Sequence, residues 1–166
     1  MLINHKKLSP KESIYNLKFI SLDGNEINMS DYKGKKILLV NVASRCGFTY
    51  QYAKLQELYS VNKDRLVIIG FPCNQFLFQE SGSNEDVKNF CSINYNVEFP
   101  MSEKIRVKGR NQHPIYSWLT DASKNGFTNS KVKWNFFKYI INEEGILEGI
   151  FPSKVEPDNK EFLALI

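Results

Sequence analysis

Cys46 is the side chain in this sequence best placed to act as a nucleophile. It closes the run Lys36-Ile37-Leu38-Leu39-Val40-Asn41-Val42-Ala43-Ser44-Arg45-Cys46-Gly47, in which an apolar stretch of strand type gives way to small and polar residues and then to a thiol. A helix-like segment follows. At the end of a strand and the mouth of a helix, unpaired backbone N–H groups and the helix dipole favour the thiolate, the form of cysteine that attacks. Arg45 adds positive charge beside it. The other two thiols are Cys73, after Pro72, and Cys91, in Phe90-Cys91-Ser92-Ile93-Asn94-Tyr95. Three cysteines do not fit a secreted disulfide framework of even count. In a reducing compartment each is either core filler or chemistry. Cys46-Gly47-Phe48-Thr49 lacks the second cysteine of a C-x-x-C pair, which argues against a dithiol oxidoreductase. The three cysteines and His113 match no compact zinc-ligand spacing, so no metal site is expected. His113, just before Pro114, reads as a helix-start residue.

The elements that must hold these thiols follow from periodicity. Ile14 to Ile20 alternates apolar and polar, Asp23-Gly24 marks a turn, and Glu26 to Asn28 continues, so an N-terminal β-hairpin is expected. Ile37 to Val42 is a continuous apolar run, the mark of a strand buried on both faces. Gln51 to Asn62 carries Tyr52, Leu55, Leu58 and Tyr59 at helical spacing, and Arg65 to Phe71 is a second buried strand. Strand, helix and strand make a βαβ unit with a right-handed crossover. Ser83 with Asp86 opens a helix as a capping pair, and Pro114 suits the first turn of another. Val132, Trp134 and Phe136 alternate with Lys133 and Asn135, which reads as a half-buried strand. Tyr139 to Ile141 and Ile146 to Phe151 form a hairpin, and Pro157 to Leu165 a closing helix. Residues 1–11 are polar and expected to fray. The predicted fold class is α/β: a central mixed sheet flanked by helices, with a reactive cysteine after the first core strand, as in the thioredoxin-like fold.

Length and charge narrow the function classes. A chain of 166 residues is expected to form one domain, residues 1–166, large enough to need no disulfide or metal staple. Its net charge of +4 comes from scattered lysines, and a nucleic-acid groove would need a denser basic stripe. The start of the chain has no apolar h-region and no run is long enough to span a bilayer, so a cytoplasmic protein without an integral membrane segment is expected.

Five blocks carry a resemblance: Asn41-Val42-Ala43-Ser44-Arg45-Cys46-Gly47, Gly70-Phe71-Pro72-Cys73-Asn74-Gln75-Phe76, Gln79-Glu80, Gly82-Ser83-Asn84-Glu85 and Lys133-Trp134-Asn135-Phe136. In order and spacing they resemble the signature blocks of the glutathione peroxidase family, over roughly Ile14 to Phe151. The resemblance implies a catalytic tetrad of Cys46, Gln79, Trp134 and Asn135. The chemistry is coherent: a thiolate attacks one peroxide oxygen while the other leaves as an oxyanion, and the amides and the indole are neutral donors able to stabilise both anions. The blocks depart from the usual pattern at Leu77, Ser81 and Phe137, where Gly, Pro and Thr are more common. None of these removes a catalytic group.

The resemblance also bears on the reductant. Cys91 occupies a position similar to the resolving cysteine of the non-selenium, thioredoxin-dependent branch, which implies a Cys46–Cys91 disulfide recycled by thioredoxin. Cys73 resembles a family cysteine with no required role. The alternatives are a one-cysteine peroxidase drawing on glutathione, and a peroxide sensor relaying a disulfide to a partner. The family's tetrameric, glutathione-using members carry an extra loop where this chain has only the short interval Thr120 to Lys131. A monomer with an open site, accessible to thioredoxin and to bulky lipid hydroperoxides, is therefore expected, with no cofactor. Bridging Cys46 and Cys91 is expected to require partial unwinding of the helix over residues 83–94, because a disulfide needs its Cα atoms within about 7 Å.

Overall fold

The computed structural model describes residues 1–166. Strands β1 (Leu2–Ile3), β4 (Lys36–Val42), β5 (Leu66–Pro72), β6 (Lys138–Ile141) and β7 (Leu147–Phe151) form one sheet in the order β1-β7-β6-β4-β5. Strands β2 (Lys18–Ile20) and β3 (Glu26–Asn28) form a separate antiparallel hairpin. β4 and β5 run parallel in register from Lys36↔Leu66 to Val42↔Pro72, joined through helix α1 (Gln51–Asn62). The other pairings of the large sheet are antiparallel.

The apolar runs explain the layering. Side chains alternate across a strand. Along β4, Ile37 and Leu39 enter one core while Leu38, Val40 and Val42 enter the other; along β5, Val67, Ile69 and Phe71 oppose Leu66 and Ile68. Both faces therefore need cover. Helices α1, α2 (Asn84–Tyr95) and α5 (Lys160–Leu163) supply Tyr52, Leu55, Val87 and Phe162 to one face. Helix α3 (Pro114–Thr120) and the hairpin supply Ile115, Trp118, Leu119 and Phe19 to the other, and the short helix α4 (Ala122–Asn125) follows α3. The free edge of β5 is covered as well: Gly70 N donates to Pro100 O and Ser102 N to Gly70 O, both at 2.9 Å. A Cβ at Gly70 would lie 2.3 Å from Met101 Sδ, so the close approach of the Met101 side chain uses the missing side chain there. The result is the thioredoxin-like arrangement expected from the sequence.

Four local expectations are corrected. Ile14–Asn16 is a 3-10 turn capped by Ser13, so the hairpin begins only at Lys18. The N-terminal residues are not frayed as a whole: β1 pairs with β7, and the buried Asn4 donates to Leu147 O at 3.0 Å. The closing helix is confined to Lys160–Leu163, opened by the Asn159 side chain as its cap. Residues 132–136 are not a strand. Their backbone partners come instead from Asn41, which accepts from Phe136 N at its main-chain oxygen (2.6 Å) and from Phe137 N at Oδ1 (3.1 Å), and donates from Nδ2 to Trp134 O (3.0 Å). The chain turns there, with Phe136 at φ 61°.

Candidate active site

Cys46 sits in the turn between β4 and α1 and is 9% exposed. The turn is held from within. Thr49 Oγ1 donates to Ala43 O at 2.8 Å and accepts from Cys46 N at 2.9 Å, and Thr49 N donates to Cys46 O at 3.0 Å. Phe48 N points at the sulfur, 3.4 Å away, so one backbone N–H is directed at Sγ.

Gln79 belongs to the 73–83 loop that follows β5. Its main-chain oxygen accepts from Arg45 N at 3.0 Å, which fixes the loop beside the cysteine turn. Its side chain accepts, through Oε1, a 3.0 Å hydrogen bond from Asn135 Nδ2. An amide whose oxygen is taken in this way presents its Nε2 donors elsewhere. Trp134 and Asn135 lie in the turn tied to Asn41, and the Trp134 ring packs on Phe76 with centroids 5.7 Å apart. The four predicted residues are thus gathered by three short chains of contact, through Arg45, Gln79 and Asn41. Strand alternation would have buried Trp134 and exposed Asn135. In the turn, Asn135 is fully buried and Trp134 only partly so.

In the buried surroundings Asn135 Oδ1 has no hydrogen-bond partner, while Ser44 lies against the Glu80 carboxyl and the Tyr52 hydroxyl against the Cys91 thiol. Burial raises the Glu80 carboxyl above the usual carboxylate range, against the opposing pull of Ser44, Lys104 and Arg45. Glu80 and Tyr52 were not singled out by sequence reasoning, and neither were Asn41, Thr49 and Lys138. Two of these carry a polar signal in the sequence: Asn41 lies within the apolar run of β4, and Lys138 opens β6. Lys138 is wholly buried on β6, and its ammonium donates to the carbonyls of Phe136 and Val155 at 2.8 Å each and to Ser153 O at 3.5 Å. Burial pushes its pKa down to about 7, with Glu156 acting in the opposite sense.

The two remaining thiols separate cleanly. Cys91, on α2, is 3% exposed and belongs to the same core as Cys46, whereas Cys73 is buried in the core on the opposite face of the sheet. All three are free. Burial drives the Cys91 thiol up to about 11, with the neighbouring Tyr52 hydroxyl working against the shift and Glu80 adding to it. A thiol in that state is a poor nucleophile until it leaves its pocket. No group of acids, histidines and cysteines is arranged to hold a metal ion, and no helix is long and apolar enough to cross a membrane.

Comparison with known proteins places this geometry in context. The family model described as glutathione peroxidase matches residues 14–120. The chain is 48% identical over 148 residues to the glutathione peroxidase homolog BsaA of Staphylococcus epidermidis, covering 89% of this chain and 93% of that one. It is 42% identical over 152 residues to a hydroperoxy fatty acid reductase of Synechocystis, covering 88% and 90%. Among solved structures, the apo crystal structure of Trgpx superposes with a TM-score of 0.72 at 36% identity, covering 93% of this chain and 95% of that one. A thioredoxin-family thiol:disulfide interchange protein from Chlorobium tepidum has a TM-score of 0.60 at 16% identity, covering 94% and 91%, and shares the fold alone.

Proposed function

From the premise that this chain belongs to the glutathione peroxidase family, and is therefore a peroxide-reducing oxidoreductase, we propose that it works as a two-cysteine peroxidase on hydrogen peroxide and organic or lipid hydroperoxides. The Cys46 thiolate attacks one peroxide oxygen. An S–O bond forms, the O–O bond breaks, and the sulfur is oxidised by two electrons to a sulfenic acid. The other oxygen leaves as hydroxide or alkoxide and takes up the proton released by the thiol, giving water or alcohol. Gln79 Nε2 and the Trp134 indole N–H act as donors to the sulfur and the departing oxygen, and Asn135 orients Gln79. The observation that carries this reading is the Asn135 Nδ2 to Gln79 Oε1 hydrogen bond of 3.0 Å, in a loop that is itself bonded to Arg45. It occupies the Gln79 oxygen and leaves the uncharged Nε2 donors free, in a loop bonded to the residue next to Cys46.

In the second step Cys91 attacks the sulfenic sulfur. An S–S bond forms, and hydroxide leaves with the Cys91 proton as water. Support comes from the shared core of the two thiols. Asn89, Ser92 and Asn94, in the second half of α2, are poor helix formers, which lowers the cost of unwinding it. The disulfide is then reduced by thioredoxin, regenerating both thiols. On this reading the chain acts as a monomeric, single-domain enzyme of the cytoplasm. Steady-state turnover of hydrogen peroxide and cumene hydroperoxide with a thioredoxin–thioredoxin reductase couple tests it against turnover with glutathione. Turnover at least about tenfold faster with thioredoxin, lost on Cys91→Ser, is expected. Equal rates with glutathione in the Cys91→Ser variant would establish a one-cysteine enzyme instead.

A further inference from the structure

Of the 18 Asp and Glu residues, Glu80 alone is buried, at 2% exposure. A carboxylate removed from water is normally paired with a cation, and this one is not. Lys104 Nζ donates to the main-chain oxygens of Glu80 and Gly82, and the carboxyl joins no ion pair. The side chain against it is the neutral Ser44 hydroxyl. An acid held in a core without a counter-charge, beside a reactive thiol, is a candidate for proton chemistry.

Its place in the fold is between the two thiols that share a core. Glu80 follows Gln79, whose main-chain oxygen accepts from Arg45 N at 3.0 Å, and its carboxyl lies against Ser44, two residues before Cys46. Towards α2, a cleft of about 310 Å³ is lined by Ser44, Arg45, Gln79 and Glu80 on one side and by Val87 and Phe90 on the other. Phe90 directly precedes Cys91. The Cys91 thiol lies against the Tyr52 hydroxyl, and the Glu80 charge acts on both. Cys46, Tyr52, Val87 and Cys91 belong to one core.

Formation of the disulfide requires a proton to move from one thiol towards the other. Cys91 must lose a proton before its sulfur attacks, and the hydroxide leaving Cys46 must gain one. Burial sets the Cys91 thiol against ionising unaided, with a pKa of about 11. A carboxylate that takes this proton leaves the number of buried negative charges unchanged, so the transfer creates no new charge in the core. Burial also raises the Glu80 carboxyl, which brings donor and acceptor closer in proton affinity.

We propose that Glu80 carries the proton from Cys91 to the oxygen leaving Cys46. The carboxylate accepts the Cys91 proton as the thiol leaves its pocket. The Cys91 sulfur attacks the sulfenic sulfur, an S–S bond forms and the S–O bond breaks. Cys91 is oxidised and the sulfenic sulfur reduced, with no further reactant. Glu80 then gives the proton to the departing hydroxide, which yields water and restores the carboxylate. This step rests on the two-cysteine reading above and assigns a residue to it.

Rapid acid quench after one equivalent of hydrogen peroxide, followed by alkylation and peptide mapping, times the Cys46–Cys91 bond. The unaltered chain, Glu80→Gln and Glu80→Asp are compared between about pH 4 and 9. The charged and titratable groups around Glu80 are Arg45, Lys104, Tyr52, Cys91 and, across the cleft, Asp86. In the unaltered chain the rate should climb with pH and level off once Glu80 is ionised. Glu80→Gln should slow bond formation at neutral pH by about a hundredfold and show no plateau, because only direct ionisation of Cys91 remains. Glu80→Asp should restore the plateau. A rate that climbs about tenfold per pH unit without levelling in the unaltered chain overturns the proposal, and this arm needs no variant to fold. A Glu80→Gln variant that is slow but keeps the plateau also overturns it, since a merely structural role would act in that way. Equal rates in the unaltered chain and Glu80→Gln overturn this proposal alone. Absence of any Cys46–Cys91 bond in the unaltered chain strikes the two-cysteine reading and this proposal with it.

Discussion

At Cys46, Phe48 N is directed at the sulfur, and the side chains proposed to act with it, Gln79, Trp134 and Asn135, are donors without charge. Replacing Trp134 by Phe keeps the packing on Phe76 and removes one donor. kcat/KM for hydrogen peroxide should fall by about a hundredfold with the melting temperature little changed; an unchanged kcat/KM would remove the indole from the proposed chemistry. The two core thiols should also differ in the reduced protein. With its pKa raised to about 11 by burial, Cys91 should resist alkylation at mildly alkaline pH while Cys46 reacts. Timed alkylation and peptide mapping would read this, and equal labelling would contradict it. Cys46, Gln79, Trp134 and Asn135 were legible because family blocks mark them. Thr49 lies outside those blocks, and Asn41 and Glu80 stand within them without a role that residue type reveals, because Asn41 and Thr49 work by bonding main chain and Glu80 by its burial.

The elements around the site are built to different firmness. α2 begins with a full capping box between Ser83 and Asp86 and ends on a left-handed asparagine. If it must unwind to bring Cys91 to Cys46, loosening its start should help. Ser83→Ala is expected to cost about 1 kcal/mol of stability and to speed disulfide formation after peroxide addition, as followed by rapid acid quench; slower formation would argue that an intact helix delivers Cys91. β6 carries the opposite kind of feature in Lys138. Its folded pKa of about 7 lies below the ordinary value of 10.5, so between these values the unfolded chain holds more protons than the folded one. Stability should therefore rise with pH across that window, by up to about 2 kcal/mol between about pH 7 and 8.5. Lys138→Met should flatten that dependence in urea titrations, and a retained slope would assign it to another group. The strands β4 and β5 and helix α1 were readable because their apolar spacing is long and nearly continuous. The 132–136 turn was not: its alternation is that of a strand, and only the Asn41 side chain, distant in sequence, converts it to a turn with Asn135 inward.

Over the whole molecule, the sheet separates two cores and so separates the thiols: Cys46 and Cys91 share one face and Cys73 lies behind the other. This division could not be read from spacing, because it depends on which strand register each loop leaves. Cys73→Ser should accordingly leave peroxide turnover intact and lower stability through a polar group placed in an apolar core. The pairing of the other two is the central claim, and mass mapping after oxidation tests it most directly. Reduced protein receives one equivalent of hydroperoxide, is alkylated and is digested. The account predicts a Cys46–Cys91 linked peptide with Cys73 alkylated. Cys46 recovered as sulfenic or sulfinic acid, with Cys91 still alkylated, would contradict it.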